Sequence, residues 1–194
     1  MRLRTAAALV TAACLMPMTG HAQSAQRWSA QVSALYASLS GDAFSSFNAG
    51  AGVEGQGRYT MRNGFSFGAG WQYTTHKIDG LKNEATLQGP FIEPRFTFVL
   101  GDNESFFPYA SARVSILEQS LSDGAFTATS SGSTFGAGGG VLIRLASRLN
   151  LDLGATAGYT NFGDVSFNGQ KFAGFPTGSG TNFILRAGLA YGLK

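Results

Sequence analysis

The sequence predicts an all-β fold, an eight-stranded antiparallel up-and-down transmembrane β-barrel preceded by a cleavable signal peptide. Eight stretches of about ten residues place apolar or small side chains at every second position, with polar or very small ones between. Successive side chains of a strand point to opposite faces, so each stretch has one apolar and one polar face. Short and long connections alternate between the stretches. Strands of this length with this alternation are the sequence signature of a transmembrane β-barrel.

The N-terminus has the parts of a secretory signal peptide. Two arginines among the first four residues are followed by an apolar run at residues 6–16 and by small residues before a predicted cleavage after Ala22. The apolar run is shorter than the roughly 20 residues that a membrane-spanning helix needs. We therefore expect residues 1–22 to be a signal peptide and residues 23–194 to form the outer-membrane barrel domain.

The single cysteine, Cys14, lies in this leader. Lipidation is the alternative interpretation, but the apolar run is short for a lipoprotein leader, and Thr11 is a poor match to the residue usually found three positions before a lipidated cysteine. After removal of residues 1–22 the chain has no cysteine, which excludes disulfides and thiolate chemistry in the barrel domain.

The composition also limits the classes of function that the chain can have. Charged residues make up 13% of the chain, well below the roughly 25% of a soluble domain. Without the leader the chain has 12 basic and 11 acidic residues, so its net charge is about +1, and no run of Lys or Arg occurs. Nothing in this composition indicates a nucleic-acid partner. The 27 glycines favour tightly curved strands around a crowded interior.

Alternation defines the first three strands, at residues 28–39, 47–59 and 65–73. Their apolar faces carry Trp28, Val32 and Tyr36 in the first, Val53 and Tyr59 in the second, and Phe65, Phe67, Trp71 and Tyr73 in the third. The opposite faces are polar or glycine. Between the second and third strands, Asn63-Gly64 supplies the positive φ angles that a tight hairpin needs.

The other five strands are predicted at residues 91–100, 107–117, 134–145, 149–160 and 182–193. The last shows the clearest alternation, with one face formed by Phe183, Leu185, Ala187, Leu189, Tyr191 and Leu193. Connections after the second, fourth and sixth strands are short, the one after the first (40–46) is intermediate, and those at 76–89, 119–133 and 161–181 are long and polar. This asymmetry predicts periplasmic turns, extracellular loops and both termini at the periplasmic end. Closure would leave no unpaired strand edge in lipid.

Three local features resemble a superfamily of small eight-stranded outer-membrane β-barrels, the porin-family-like proteins of the OmpA and OmpX type. Glu93-Pro94-Arg95 is similar to the EPR strand of that superfamily, and Pro108-Tyr109 with Arg113 is similar to its PYxxxR partner strand. The C-terminal strand resembles the superfamily's terminal assembly signal, through Arg186, Gly188, Tyr191 and Leu193. Lys194 follows where a terminal phenylalanine is usual, with Leu193 in the last hydrophobic position.

The resemblance implies a location in the outer membrane of a Gram-negative bacterium. It also implies contact with outer-membrane lipids, recognition by the barrel-assembly machinery during biogenesis, and a monomer.

Eight inward positions are charged: Glu54, Arg58, Glu93, Arg95, Arg113, Arg144, Asp152 and Arg186. The interior of an eight-stranded barrel is just wide enough for side chains to fill it. A charge buried there must be paired, because an isolated one costs many kcal/mol. We therefore predict a polar lumen network of Arg–carboxylate pairs. The alternative is a narrow porin-like path, in which the excess of Arg would favour anions.

Nothing in the barrel domain has the pattern of a catalytic or metal site. His76 is its single histidine, it falls in a predicted loop, and no carboxylate is spaced to orient its imidazole. We expect a solvated loop histidine, no enzyme activity, no cofactor and no metal. An outer-leaflet lipid-modifying enzyme is the weakest alternative.

Aromatic residues cluster toward the strand ends: Trp28, Tyr36, Tyr59, Phe65, Trp71, Tyr73, Phe107, Phe135, Tyr159 and Tyr191. Their residue types suit two interfacial girdles. The alternative is the core of a soluble barrel such as a lipocalin.

The last long loop contains four phenylalanines, Phe162, Phe167, Phe172 and Phe175. They predict either contact with an unknown extracellular ligand or a cap packed over the barrel mouth.

The function expected from all these features is a structural or surface-interaction role without catalysis.

Overall fold

The computed structural model describes residues 27–80, 83–100, 105–122, 127–167, 170–172 and 178–193. The predicted signal peptide and Lys194 lie outside these ranges. Nine strands are present in the described chain: β1 (Trp28–Ser40), β2 (Gly50–Thr60), β3 (Phe65–Lys77), β4 (Glu84–Thr97), β5 (Phe106–Ser122), β6 (Thr127–Ala146), β7 (Leu149–Phe167), β8 (Gln170–Phe172) and β9 (Ser179–Leu193). A single 3₁₀ turn, Asp42–Phe44, lies between β1 and β2.

The eight long strands form one closed antiparallel barrel. Each strand pairs with its neighbour along the chain, and the first and last strands pair with each other from Trp28 opposite Leu193 to Ser40 opposite Thr181. The short β8 pairs with β7 above the barrel wall. The predicted eight-stranded up-and-down topology is confirmed. Among the described residues there is no helix that is both long enough and apolar enough to cross a membrane.

The strands extend further than predicted at the end opposite the termini. β5 and β6 are 17 and 20 residues long, so most of the predicted loop 119–133 is strand. The predicted loops 76–89 and 161–181 are likewise shortened by β3, β4 and β7. Ser, Thr and Gly are frequent in these extensions, and their inward positions include apolar residues such as Leu87 and Phe162. The apolar–polar contrast that marked the membrane part is therefore lost, although the ladder continues.

The outside of the barrel is apolar and the inside is polar. Val32, Ile116 and Phe135 point outward and are each more than 60% exposed, whereas Glu93 and Arg95 point inward and are at most 1% exposed. A protein folded in water buries its apolar side chains and exposes its charges. The reverse distribution is that of a barrel whose outer wall contacts lipid.

Most of the aromatic side chains predicted to form the two girdles lie on the outer wall, where girdles require them. Trp28, Tyr36, Trp71 and Tyr159 are exposed on the outer wall. Phe107 is the exception, because it is buried inside the barrel and the preceding Phe106 is exposed instead. Phe107 lies an even number of residues from the inward Tyr109 and Arg113, so strand parity places it on the inner face.

Candidate functional site

The barrel interior has two layers. A layer of charged and polar side chains occupies the half nearer the short turns. A layer of apolar side chains closes the end where the loops lie.

Glu93 is the centre of the charged layer. Its Oε1 accepts hydrogen bonds from Arg58 at 2.7 Å and Arg95 at 2.9 Å, and its Oε2 accepts one from Arg186 at 2.9 Å. The guanidinium of Arg113 lies 3.6 Å from Oε2. One carboxylate on β4 thus contacts four guanidinium groups from four different strands.

Glu54 and Asp152 complete the acidic side of the network. Glu54 accepts hydrogen bonds from Arg113 at 2.8 Å and Arg186 at 3.2 Å. Asp152 accepts one from Arg95 at 3.0 Å. All three carboxylates are buried, so their charge-assisted contacts with the guanidinium groups are shielded from water.

Tyr109 links Asp152 to an arginine. Its hydroxyl donates to Asp152 Oδ1 at 2.6 Å and accepts from Arg186 Nη2 at 3.0 Å. Tyr109 was not predicted as a member of the network, because that prediction covered only the charged residues at inward positions. Its even spacing from Arg113 is the signal that could have found it.

The network contains four guanidinium groups and three carboxylates, so it carries an excess positive charge. Neutral partners help to accommodate it. Arg95 stacks 3.7 Å from the centre of the Tyr109 ring, and Arg113 stacks 3.5 Å from that of Phe91. Gln56 and Gln72 also accept hydrogen bonds, each 2.9 Å long, from Arg58 and Arg113 respectively. Ring faces and amide oxygens both attract a buried cation.

The structure brings seven of the eight predicted lumen charges into this network. Arg144 lies further toward the short turns, near the end of β6, and is half-buried. Its guanidinium is 5.0 Å from the centre of the Phe107 ring.

An apolar cluster closes the loop end of the interior. The 3₁₀ turn between β1 and β2 places Phe44 inside the barrel mouth, where its ring meets that of Phe162 edge to face with centroids 5.6 Å apart. Leu39, Leu87 and Leu117 complete the cluster. We call this cluster the mouth plug.

Of the two interpretations given for Phe162, the exposed loop contact is wrong, and the cap over the barrel mouth agrees with the place of Phe162 in the mouth plug. Phe162 lies in β7 and is 5% exposed, because the strand continues past the membrane and turns this side chain inward. Phe167 and Phe172 fall in β7 and β8, but their side chains lie outside the described part, as does Phe175 entirely.

His76 is a second correction. It lies in β3 and is 1% exposed, instead of being a solvated loop residue. Its Nδ1 is 3.0 Å from the carbonyl oxygen of Asn48, and its Nε2 is 3.0 Å from Thr74 Oγ1. A carbonyl and a hydroxyl hold the ring in place. Because the carbonyl belongs to Asn48, the contact joins the β1–β2 connection to β3.

Space between the two layers is small. A cavity of about 10 Å³ is lined by Gln72 and Arg113 of the charged network and by Leu117 of the mouth plug. This is about the volume that one water molecule occupies. Across the described ranges, no group of three or more His, Cys, Asp or Glu side chains could hold a metal ion.

The four residues of the predicted assembly signal divide between the faces of β9. Arg186 points into the charged network, and Gly188 also faces inward, where a Cβ would collide with the side chain of Ser33. Tyr191 and Leu193 are exposed on the outer wall near the short-turn end.

Comparison with known proteins agrees with this architecture. Residues 5–191 match the model of a family described as the outer membrane protein beta-barrel domain. The solved structure of Neisserial surface protein A is similar with a TM-score of 0.67 at 20% identity, over 86% of this chain and 97% of that chain. Ail, the attachment invasion locus protein of Yersinia pestis, is similar with a TM-score of 0.51 at 12% identity, over 86% of this chain and 99% of that chain. No curated protein matches significantly.

Proposed function

The chain belongs to the outer membrane protein β-barrel domain family, and we propose that within this family it has a structural and surface-interaction role without catalysis. The protein is located in the outer membrane of a Gram-negative bacterium. In such barrels the longer connections are extracellular and the short turns periplasmic. The mouth plug and the strand extensions are therefore on the cell surface.

The observation that carries this proposal is the polar sheet that projects above the membrane. The extended parts of β3 to β7 pair a continuous row of hydroxyl residues across five strands: Thr75, Thr86, Ser120, Thr129 and Ser166. All five are partly exposed; the first four have the parity of the outer wall, and Ser166 pairs with Thr129 beyond a register shift between residues 162 and 165. A rigid sheet that presents a row of donors and acceptors is suited to contact with a polar partner at the cell surface.

The filled interior supports the same proposal. The charged layer and the mouth plug occupy the lumen in series, and the cavity between them holds about one water molecule. A transport path would need a continuous wet route past both. The names of two proteins with a similar fold, a surface protein and an attachment invasion locus protein, accord with a role at the cell surface.

The surface role is tested by attachment. Cells that produce the wild-type protein should attach to immobilised extracellular-matrix proteins or glycans more than cells without it. The combined variant Thr86→Ala, Ser120→Ala and Thr129→Ala should lose that gain. Arg62→Ala, in a periplasmic turn, is the control and should keep it. A wild-type protein that gives no gain on any of these surfaces would contradict the role.

A narrow anion-selective channel is the second candidate, favoured by the excess of one positive charge in the lumen network. Planar-bilayer recording distinguishes a channel from a protein with a structural and surface-interaction role. Because the lumen is filled, we expect no discrete conductance steps from the wild-type protein. Steps that disappear in Arg113→Gln would instead establish a pore.

A further inference from the structure

A groove of about 670 Å³ lies on the outer wall of the barrel, across β6, β7, β9 and β1. Its floor is formed by small residues, Ala137 and Ala157, which face each other across β6 and β7. Larger rings stand beside this floor: Phe135, Tyr159 and Phe183. The groove is open along the wall, so an occupant would lie against this surface and would not be enclosed by it.

The groove changes polarity along its length. Its membrane side consists of the alanines and the Phe135 and Phe183 rings. Its extracellular side carries the hydroxyls of Ser40 and Thr181, whose oxygens are 2.8 Å apart. Register places both above Tyr36, the last aromatic residue of β1 on the outer wall.

Ser38 lies where the two sides meet. It is directly opposite Phe183 in the pairing of β1 with β9, and it points outward at the upper edge of the apolar surface. No described residue forms a side-chain hydrogen bond with its hydroxyl. A hydroxyl at the edge of hydrocarbon gains from a hydrogen-bond partner, because burial without one costs free energy.

From this geometry we infer that the groove is a binding site for one lipid A molecule of the outer leaflet. One acyl chain lies on the Ala137–Ala157 floor between the rings. The hydroxyl, ester or amide group near the head of that chain bonds Ser38 and Thr181. The groove is continuous with the lipid-facing wall, so its occupant is already present in the membrane.

Retention of lipid by the purified barrel tests the site. The protein is incubated in detergent with hexa-acylated lipid A, and bound lipid is counted by native mass spectrometry. We expect the wild type to retain one lipid A and Ala157→Phe, which fills the floor, to retain about tenfold less. Ala51→Phe is the matched control, because Ala51 also points outward at the level of Tyr36 but does not line the groove. It should retain lipid A as the wild type does.

A second variant separates recognition from folding. Ser38→Ala combined with Thr181→Ala leaves the apolar floor intact and should lower retention of lipid A while leaving retention of a single-chain alkyl detergent unchanged. Equal retention of lipid A by the wild type and Ala157→Phe would overturn the inference. Equal retention of phosphatidylethanolamine and lipid A by the wild type would also overturn it, since the site would then be ordinary annular contact.

Discussion

Glu93 shows at residue scale why the lumen charges depend on one another. The side chain is fully buried and contacts four arginines. A buried ion pair does not by itself guarantee stability, because desolvation offsets the attraction. Removing one partner is nevertheless costly, because the remaining charges stay buried without compensation.

Glu93→Gln should therefore destabilise the barrel strongly. The substitution leaves four guanidinium groups with two carboxylates, and we expect the free energy of unfolding to fall by about 3–5 kcal/mol. Urea titration in lipid vesicles, followed by the mobility difference between unboiled and boiled samples on a gel, measures it. Glu118→Gln, on an exposed outward position of β5, should change it by less than about 0.5 kcal/mol. Equal effects of the two substitutions would contradict the central role of Glu93.

Tyr109→Phe isolates a single hydroxyl. It removes the donor to Asp152 and the acceptor for Arg186 and keeps the ring beneath Arg95. Hydrogen bonds to charged groups contribute about 1.5–3 kcal/mol, and we expect a loss of that size in the same titration. Tyr36→Phe, on the outer wall, is the control. A loss no greater than that of the control would show that the hydroxyl is not a structural link.

Strand parity predicted which charges face inward, but not which of them meet. Arg95 bonds Asp152, 57 positions away, because both side chains reach across a narrow lumen that alternation alone does not describe. Phe107 shares the parity of Tyr109 and could have been assigned inward. His76 was misplaced because the strand that carries it continues into residues with weak apolar contrast.

At the scale of elements, the β1–β2 connection is where local backbone geometry controls packing. Gly41 has φ 104° and ψ 177° and directly precedes the turn that carries Phe44 into the barrel mouth. A Cβ at this position would lie 2.8 Å from the Cα of Gly180 on β9. Two glycines therefore allow the connection to lie against the barrel rim and Phe44 to join the mouth plug.

Gly41→Ala should loosen the mouth plug. The required backbone conformation is essentially limited to glycine, so the substitution should cost about 1–3 kcal/mol. Urea titration measures the loss, and limited proteolysis should show faster cleavage within residues 41–49. Gly55→Ala is the control, because a Cβ there meets nothing within 4 Å. Unchanged stability and unchanged cleavage in Gly41→Ala would show that the connection does not depend on this contact.

At the scale of the whole molecule, the sequence predicted the number, order and direction of the eight barrel strands, and the short β8 lies where a loop was predicted. Alternation is strong wherever one face meets lipid, as from Phe183 to Leu193, and it identifies the membrane part of each strand. The charged layer of the interior was predicted, and a cap at the mouth was one of two interpretations of Phe162, but the part of Phe44 in that cap was not predicted. Phe44 and Phe162 are far apart in sequence and lie in polar segments, so their meeting in the mouth plug depends on the curvature of the closed wall.

Cysteine labelling tests the extent and the orientation of the barrel together, because Cys14, within the predicted signal peptide, is the only cysteine of the sequence. Ser131→Cys lies on an exposed outward position of β6 above the membrane, where sequence alone predicted a loop. A membrane-impermeant maleimide should label it on intact cells. Arg62→Cys, in a short turn, should react only after the outer membrane is permeabilised. Val32→Cys, which points outward in β1 at 67% exposure, should stay unlabelled in both conditions because lipid covers it. Labelling of Arg62→Cys on intact cells would show that the short turns face the cell exterior. Labelling of Val32→Cys would show that lipid does not cover the outer wall.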